Sequence, residues 1–233
     1  MPSLSISAFP TRSRQWQVTA DVSHKNMPST THHWNEIFDT KPDSELGWYE
    51  ADASQTLRFL EHIPEIGSAT SFLPGAGTSV LVDELIPRCR HLVLNDISDT
   101  ALQKLKDRIT ETEKVSWLHH DISKPLPDGI PLVDLWIDRA VLHFLLEEIQ
   151  IQGYFRNVRA TLNEKGYVLL AEFAPDGAPK CAGLELHRYS TEEMQERLGS
   201  DFTLIRDERY VFVNPFGDPR PYTYALFQRN KKG

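Results

Sequence analysis

The side chains able to do chemistry in this 233-residue chain come in a regular order. Leu73-Pro74-Gly75-Ala76-Gly77-Thr78-Ser79 is a glycine turn, where the backbone can bend tightly and approach a ligand with no Cβ in the way. Asp96 follows Gly77 by 19 residues and precedes Ile97 and Ser98. An acid there can accept both hydrogen bonds of a ribose diol. Asp121-Ile122 joins a carboxylate suited to an exocyclic amine with an aliphatic side chain suited to a ring face. Asp138-Arg139 leaves the apolar run Leu135-Trp136-Ile137, and His143 follows Asp138 by five residues. That places an acid, a cation and an imidazole nearest the reacting centre. Each feature also has a plainer role. The turn is common in α/β proteins, Asp96 suits a helix N-terminus, and Asp121 can be a loop acid. Arg139 can be half of an ion pair, and His143 a satisfied histidine at a helix start.

The elements that must position these groups follow from pattern. Thr30 or Thr31 caps a helix through Asp39 with Trp34, Ile37 and Phe38 on one face, and Lys41-Pro42-Asp43 ends it. A second helix spans 54–62. Residues 69–73 form a strand, 79–86 a helix, and 91–94 a strand. Ser98 caps a helix through Ile109, with Leu102, Leu105 and Ile109 on one stripe. Strands follow at 115–118 and 132–137, then a helical stretch over 142–162 interrupted at Gly153, then a strand at 167–173. Ser190 caps a helix to Leu198 with Glu193 in the capping-box position. Two long β runs, 202–213 and 221–228, flank the turn-rich Asn214-Pro215-Phe216-Gly217-Asp218-Pro219. Strands alternating with helices predict an α/β fold with a mainly parallel sheet and an antiparallel finish. In such sheets ligands sit at the carboxyl ends of strands, where every motif above falls.

Composition narrows the class. Forty per cent hydrophobic and 25% charged residues are enough for a real core without disulfides or metal. The net charge of −8 argues against a nucleic-acid backbone as partner. Cys89 and Cys181, 92 positions apart, make neither a disulfide framework nor a metal knuckle. His32-His33 and His119-His120 lack metal-ligand spacing, and no metal site is read. No run of 18 apolar residues is present, so no membrane span or membrane partner is expected. Residues 1–29 read as a polar leader without acids in its first 20 positions, and residues 30–233 as a single domain whose segment 30–50 is an entry or lid. A cytoplasmic location is expected, with an organelle as the alternative if the leader is a transit peptide.

A dinucleotide turn would need a small third residue, and Val80 stands there. Hydrolase-elbow and P-loop motifs are absent from the sequence. The order of glycine turn, Asp96-Ile97-Ser98, Asp121-Ile122 and Asp138-Arg139-Ala140-x-x-His143-Phe144-Leu145 resembles the class I S-adenosylmethionine-dependent methyltransferases. It is most similar to a small bacterial-type branch that also carries counterparts of Trp34, Lys41, Trp48-Tyr49, Cys181-Ala182-Gly183-Leu184 and Arg188-Tyr189. The resemblance implies a Rossmann-like seven-stranded sheet with an antiparallel last strand, helices on both faces and S-adenosyl-L-methionine as cofactor. It implies contacts to that cofactor from Gly75, Ala76, Gly77, Thr78, Ser79, Asp96, Ile97, Asp121, Ile122 and Asp138. The family's first strand usually ends in an acid two positions before the first glycine. Here that residue is Leu73, beside a Pro74 of the kind seen in thiopurine- and tellurite-type relatives. The segment Val213 to Gly217 also departs from the relatives.

Asp138, Arg139 and His143 are thus the candidate catalytic residues, with Trp34, Trp48 and Tyr49 as substrate-side lid. The leading expectation is methyl transfer to a small-molecule nucleophile, a thiol or another small acceptor. A protein lysine methyltransferase and a non-catalytic cofactor-binding module are the alternatives, with a nicotinamide dehydrogenase disfavoured by Val80. The sequence leaves the oligomeric state open.

Overall fold

The computed structural model describes residues 29–231; the leader expected over 1–29 lies outside them except for Ser29. The elements in chain order are α1 (Thr31–Thr40), α2 (Ser54–Leu60), β1 (Thr70–Leu73), α3 (Leu81–Leu85), β2 (His91–Asp96), α4 (Asp99–Arg108), β3 (Val115–His119), β4 (Val133–Arg139), α5 (Glu148–Thr161), β5 (Leu162–Phe173), β6 (Lys180–Cys181), β7 (Leu184–Glu185), α6 (Thr191–Leu198), β8 (Phe202–Val213) and β9 (Pro219–Arg229). The seven-stranded sheet runs β3-β2-β1-β4-β5-β9-β8, and β6 and β7 form a separate small hairpin. Strands β1 to β5 pair in parallel, while β9 lies antiparallel between β5 and β8. This is the Rossmann-like sheet expected, and it places the order reversal between β1 and β4, above which ligands bind.

The central strands are buried on both faces, while much of the edge strand β8 is exposed. One apolar cluster joins Phe59, Leu85, Leu94, Leu105 and Leu169; the other joins Phe72, Trp136, Phe155, Val168 and Phe227. A third, smaller cluster of Trp34, Ile37, Phe38 and Leu46 packs α1 and its following loop over the carboxyl edge of the sheet. The caps form as expected at three helices. Thr30, Ser98 and Ser190 accept from the amides of His33, Ala101 and Glu193.

Three details differ from the sequence reading. The stretch 142–162 is broken at Leu145 to Glu147, between a 3-10 turn (Leu142–Phe144) and α5, and the helix runs through Gly153. Gly153 serves close packing instead, because a Cβ there would lie 2.0 Å from the Ser123 carbonyl oxygen. Helix α3 has five residues, fewer than expected; it starts after Val80, and Ser79 Oγ accepts from Leu81 N at 3.2 Å in the preceding turn. The Ser190 cap is not reciprocated by Glu193, whose carboxylate holds His187 Nε2 at 2.7 Å; the two-way capping box belongs to Glu147 and Gln150 of α5.

Candidate active site

The glycine turn follows β1 directly, and Gly75 and Gly77 both adopt φ of +54°, a region other residues enter only at a cost. The need at Gly75 is also steric, since a Cβ there would fall 2.2 Å from Val141 Cγ2. The turn is fixed from three sides. Ala76 N donates to Asn95 O at 2.8 Å, Gly77 N donates to Asp96 Oδ2 at 2.8 Å, and Arg108 donates to the carbonyls of Thr78 (2.9 Å) and Ser79 (2.8 Å). Arg108 is an anchor that sequence reasoning passed over, because a basic residue at a helix end reads as a dipole partner.

Asp96 ends β2 with 4% of its surface exposed. Its other oxygen, Oδ1, accepts from Ser98 N at 2.8 Å. Burial pushes its carboxyl up to about 6, opposed by the amides of Ser98 and Gly77. Each carboxylate oxygen accepts one amide and retains a lone pair for a diol. Asp121, half-buried, uses Oδ1 for both the amide and hydroxyl of Ser123 (2.9 and 2.7 Å). That leaves Oδ2 without a hydrogen-bond partner among the described residues. Ile97 and Ile122 stand beside these acids.

Two cavities meet at this edge. The larger encloses about 770 Å³ and is lined by Trp34, Phe38, Asp96, Ile97, Asp121, Ile122 and Val141, among others. The second, about 590 Å³, lies between the glycine turn and the entry segment and is lined by Tyr49, Glu50, Leu73, Ala76, Thr78 and Ser79, among others. Trp48, Gly75, Gly77 and Arg139 border both, so together they form one bent cleft. Its outer wall is aromatic. Trp34 packs edge-on against Phe144 (4.8 Å between centroids) and Trp48 (5.6 Å), and Trp34 Nε1 donates to Ser29 Oγ at 2.8 Å. The three predicted lid residues therefore do line the cleft, joined by Phe38 and Phe144.

The predicted catalytic trio separates. Arg139 reaches the cleft. Its Nη1 donates to Trp48 O at 3.0 Å, its Nη2 stands 2.8 Å from Glu50 Oε1, and its guanidinium lies 5.1 and 5.2 Å from the ring centres of Phe212 and Tyr222. Asp138 and His143 are both 0% exposed and border neither cavity. Asp138 is a support. Oδ1 accepts from Val141 N at 3.1 Å and Oδ2 accepts from Tyr154 OH at 2.6 Å, which itself accepts from Trp136 Nε1 at 2.8 Å. This holds a turn in which Ala140 has φ of +70°. Burial first, and then the neighbouring carboxylate of Glu172, raise Asp138 well above the usual carboxylate range. Burial lifts Glu172 to about 8, so the two carboxyls hold a proton at neutral pH. His143 lies on the 3-10 turn with Nδ1 2.7 Å from Glu172 Oε2, and burial lowers it to about 3. It is a neutral imidazole packed on Phe144 and Phe173, with no route to a ligand in this geometry. Sequence spacing could not separate these roles, because residues 138, 139 and 143 leave one strand end in different directions. Glu50, Glu172 and Tyr154 were not singled out, since each is distant in sequence from the group it serves; Phe38 was read only as part of the apolar face of α1.

Residues 73–170 match the family model described as a methyltransferase domain. No curated protein matches the sequence. Among solved structures, the chain is similar to the N-methyltransferase NodS from Bradyrhizobium japonicum in complex with S-adenosyl-L-homocysteine (TM-score 0.65, 14% identity, 85% of this chain and 100% of that one). It is also similar to an S-adenosylmethionine-dependent methyltransferase from Anabaena variabilis (TM-score 0.68, 14% identity, 86% and 93%). A third is the 1,6-didemethyltoxoflavin-N1-methyltransferase from Burkholderia thailandensis (TM-score 0.61, 16% identity, 86% and 84%). The chain therefore has the fold of the S-adenosylmethionine-dependent methyltransferases, with residues 73–170 matching their methyltransferase domain.

Proposed function

We propose that this protein is an S-adenosylmethionine-dependent methyltransferase acting on a small nucleophile, a thiol before other acceptors. One observation carries the reading: the bent cleft joins a nucleoside-shaped end, walled by Asp96, Asp121 and Ile122, to an aromatic end bounded by Trp48 and Arg139. The cofactor fits the residues present. Asp96 retains acceptor capacity for the ribose hydroxyls, Asp121 Oδ2 is open to an adenine amine, and Ile97 and Ile122 supply apolar ring contacts. Gly75 and Gly77 present bare backbone to both arms of the cleft. When bound, the cofactor supplies an electrophilic methyl on a sulfonium.

The chain's own residues then orient and exclude water. The Trp34, Phe38, Trp48 and Phe144 rings form a dry wall, and displacement at carbon gains most from alignment and from loss of solvent. Arg139 fixes the entry segment through Trp48 O and Glu50. Among the described residues, no free general base stands at the Trp48–Arg139 end of the cleft: Glu50 is paired with Arg139, His143 and Asp138 are sealed beneath it, and His120, at the nucleoside end, holds the Pro125 carbonyl. This favours an acceptor that ionises on its own near neutral pH, as a thiol does with a pKa of about 8.5. Calorimetry tests the cofactor half: S-adenosylhomocysteine should bind and NAD should not, and binding of neither rejects the proposal. A radiolabelled-methyl assay over thiols, amines, carboxylates and cell lysate tests the acceptor half. Labelling of amines or protein in preference to thiols would reject the small-thiol assignment.

A further inference from the structure

The cavity between the glycine turn and the entry segment contains only two charged side chains among its described lining residues, Glu50 and Arg139. They come from distant parts of the chain, and each side chain is only 10% exposed. Their contact is close, 2.8 Å from Nη2 to Oε1, but it is not aligned as a hydrogen bond. Arg139 Nε is also buried without a hydrogen-bond partner among the described residues. A buried guanidinium whose Nε has no partner, and whose Nη2 has only an ill-aligned ionic contact, is costly unless something else completes it. The strand end nearest this cavity offers no charge, since β1 finishes in Leu73.

We infer that Glu50 and Arg139 are the receptor for a zwitterionic α-amino acid group, with Glu50 taking the ammonium and Arg139 Nε and Nη2 taking the carboxylate. The inference rests on the cofactor assignment proposed above. With the ribose at Asp96 and the adenine at Asp121 and Ile122, the rest of the cofactor must run past Gly75 and Gly77. That path leads from the larger cavity into the smaller one, where the pair stands. The far end of S-adenosylmethionine is an α-amino acid, and a carboxylate–guanidinium pair is its complement: both charges are matched and the orphaned guanidinium edges are filled. Glu50 thereby supplies from the entry segment the negative charge that Leu73 cannot supply from the sheet.

The test is calorimetry on the full chain with two ligands that share the nucleoside, S-adenosylhomocysteine and methylthioadenosine, the second lacking the amino acid. Wild-type protein should bind S-adenosylhomocysteine more tightly by about tenfold or more, the scale of buried charge-assisted hydrogen bonds. Glu50→Gln and Arg139→Lys should each erase most of that preference while leaving methylthioadenosine affinity within about twofold, which also reports that the fold is kept. Glu50→Asp, which preserves the charge, should retain part of the preference and serves if Glu50→Gln does not fold. Equal wild-type affinity for the two ligands would overturn the assignment of the pair. So would variants that weaken both ligands alike, the mark of a structural latch, and so would variants that leave both unchanged. Wild-type protein that binds neither ligand rejects the cofactor reading itself.

Discussion

Replacing Gly153 by alanine sets helix propensity against packing, and the structure decides the sign. In the interior of a 14-residue helix, alanine should stabilise by about 1 kcal/mol over glycine. Here the added Cβ would sit 2.0 Å from Ser123 O and 3.0 Å from its carbonyl carbon, whereas ordinary contact begins at 3.4 Å. Helix and loop must part by about 1.4 Å, the difference between 3.4 and 2.0. They cannot part freely, because Asn157 Nδ2 one turn later donates to Ile122 O (2.8 Å) and Lys124 O (2.7 Å). Overpacking costs about 1–3 kcal/mol, and stretching two such hydrogen bonds adds about 1 kcal/mol apiece. Set against the propensity gain, Gly153→Ala should lose about 2–4 kcal/mol. Urea unfolding followed by tryptophan fluorescence measures it as a lower midpoint at unchanged slope. The same displacement moves Asp121 and Ile122, so S-adenosylhomocysteine should bind more weakly to the folded variant. A variant as stable as wild type, or more so, would refute the packing argument.

Gly75→Ala should cost about 1–2 kcal/mol for its left-handed backbone plus about 1–3 kcal/mol for the Val141 collision. Adding Val141→Ala should recover the second part, and a double-mutant cycle with no coupling would contradict the contact. Asp96→Ala should weaken S-adenosylhomocysteine binding by about 1–3 kcal/mol; calorimetry showing unchanged affinity would remove the ribose role. Glu172 keeps its proton up to about 8 in the folded protein, against an ordinary value of 4.5. Between those values the native state holds a proton that the unfolded chain has released, so this group's contribution to stability falls as pH rises, by up to about 1.4 kcal/mol per pH unit. Glu172→Gln cannot ionise, so its stability relative to wild type should improve from pH 6 to about 8 and level off above that in urea titrations. A constant difference would rule out the raised ionisation.

The fold was legible because burial repeats along the chain at the periods of strand and helix. Apolar runs such as Leu92-Val93-Leu94 and Leu169-Leu170-Ala171 are buried on both sides, and Ser98 and Ser190 mark helix starts by a local hydrogen bond. That Gly75, Gly77, Asp96, Asp121 and Ile122 line one cleft was legible for a similar reason, since all sit at strand ends whose order the sheet dictates. What the sequence hid depends on direction and distance. Asp138 and His143 look like a site because they adjoin Arg139, yet only Arg139 points into the cleft. Gly153 looks like a helix break because its reason, the Ser123 carbonyl, lies 30 residues away. Glu50 looks like a loop acid until the fold carries Arg139 to within 2.8 Å of it.

The attachment of α1 bears on how such a cleft could admit and release its contents. Asn35 in α1 donates to Asp99 Oδ1 at 2.7 Å and accepts from Ser98 Oγ at 2.7 Å, so the helix is bolted to the start of α4, two residues beyond Asp96. It therefore travels with the sheet and is poorly placed to swing. The piece between Lys41 and Ala53 is fastened differently, with Arg139 gripping Trp48 O and Glu50. The same piece is also seated by Leu46, buried against α1, and by Trp48, edge-on to Trp34 and Phe38. Opening this side of the cleft therefore means breaking the Arg139 contacts and unseating Leu46 and Trp48 together, a concerted step and not the swing of a loose loop.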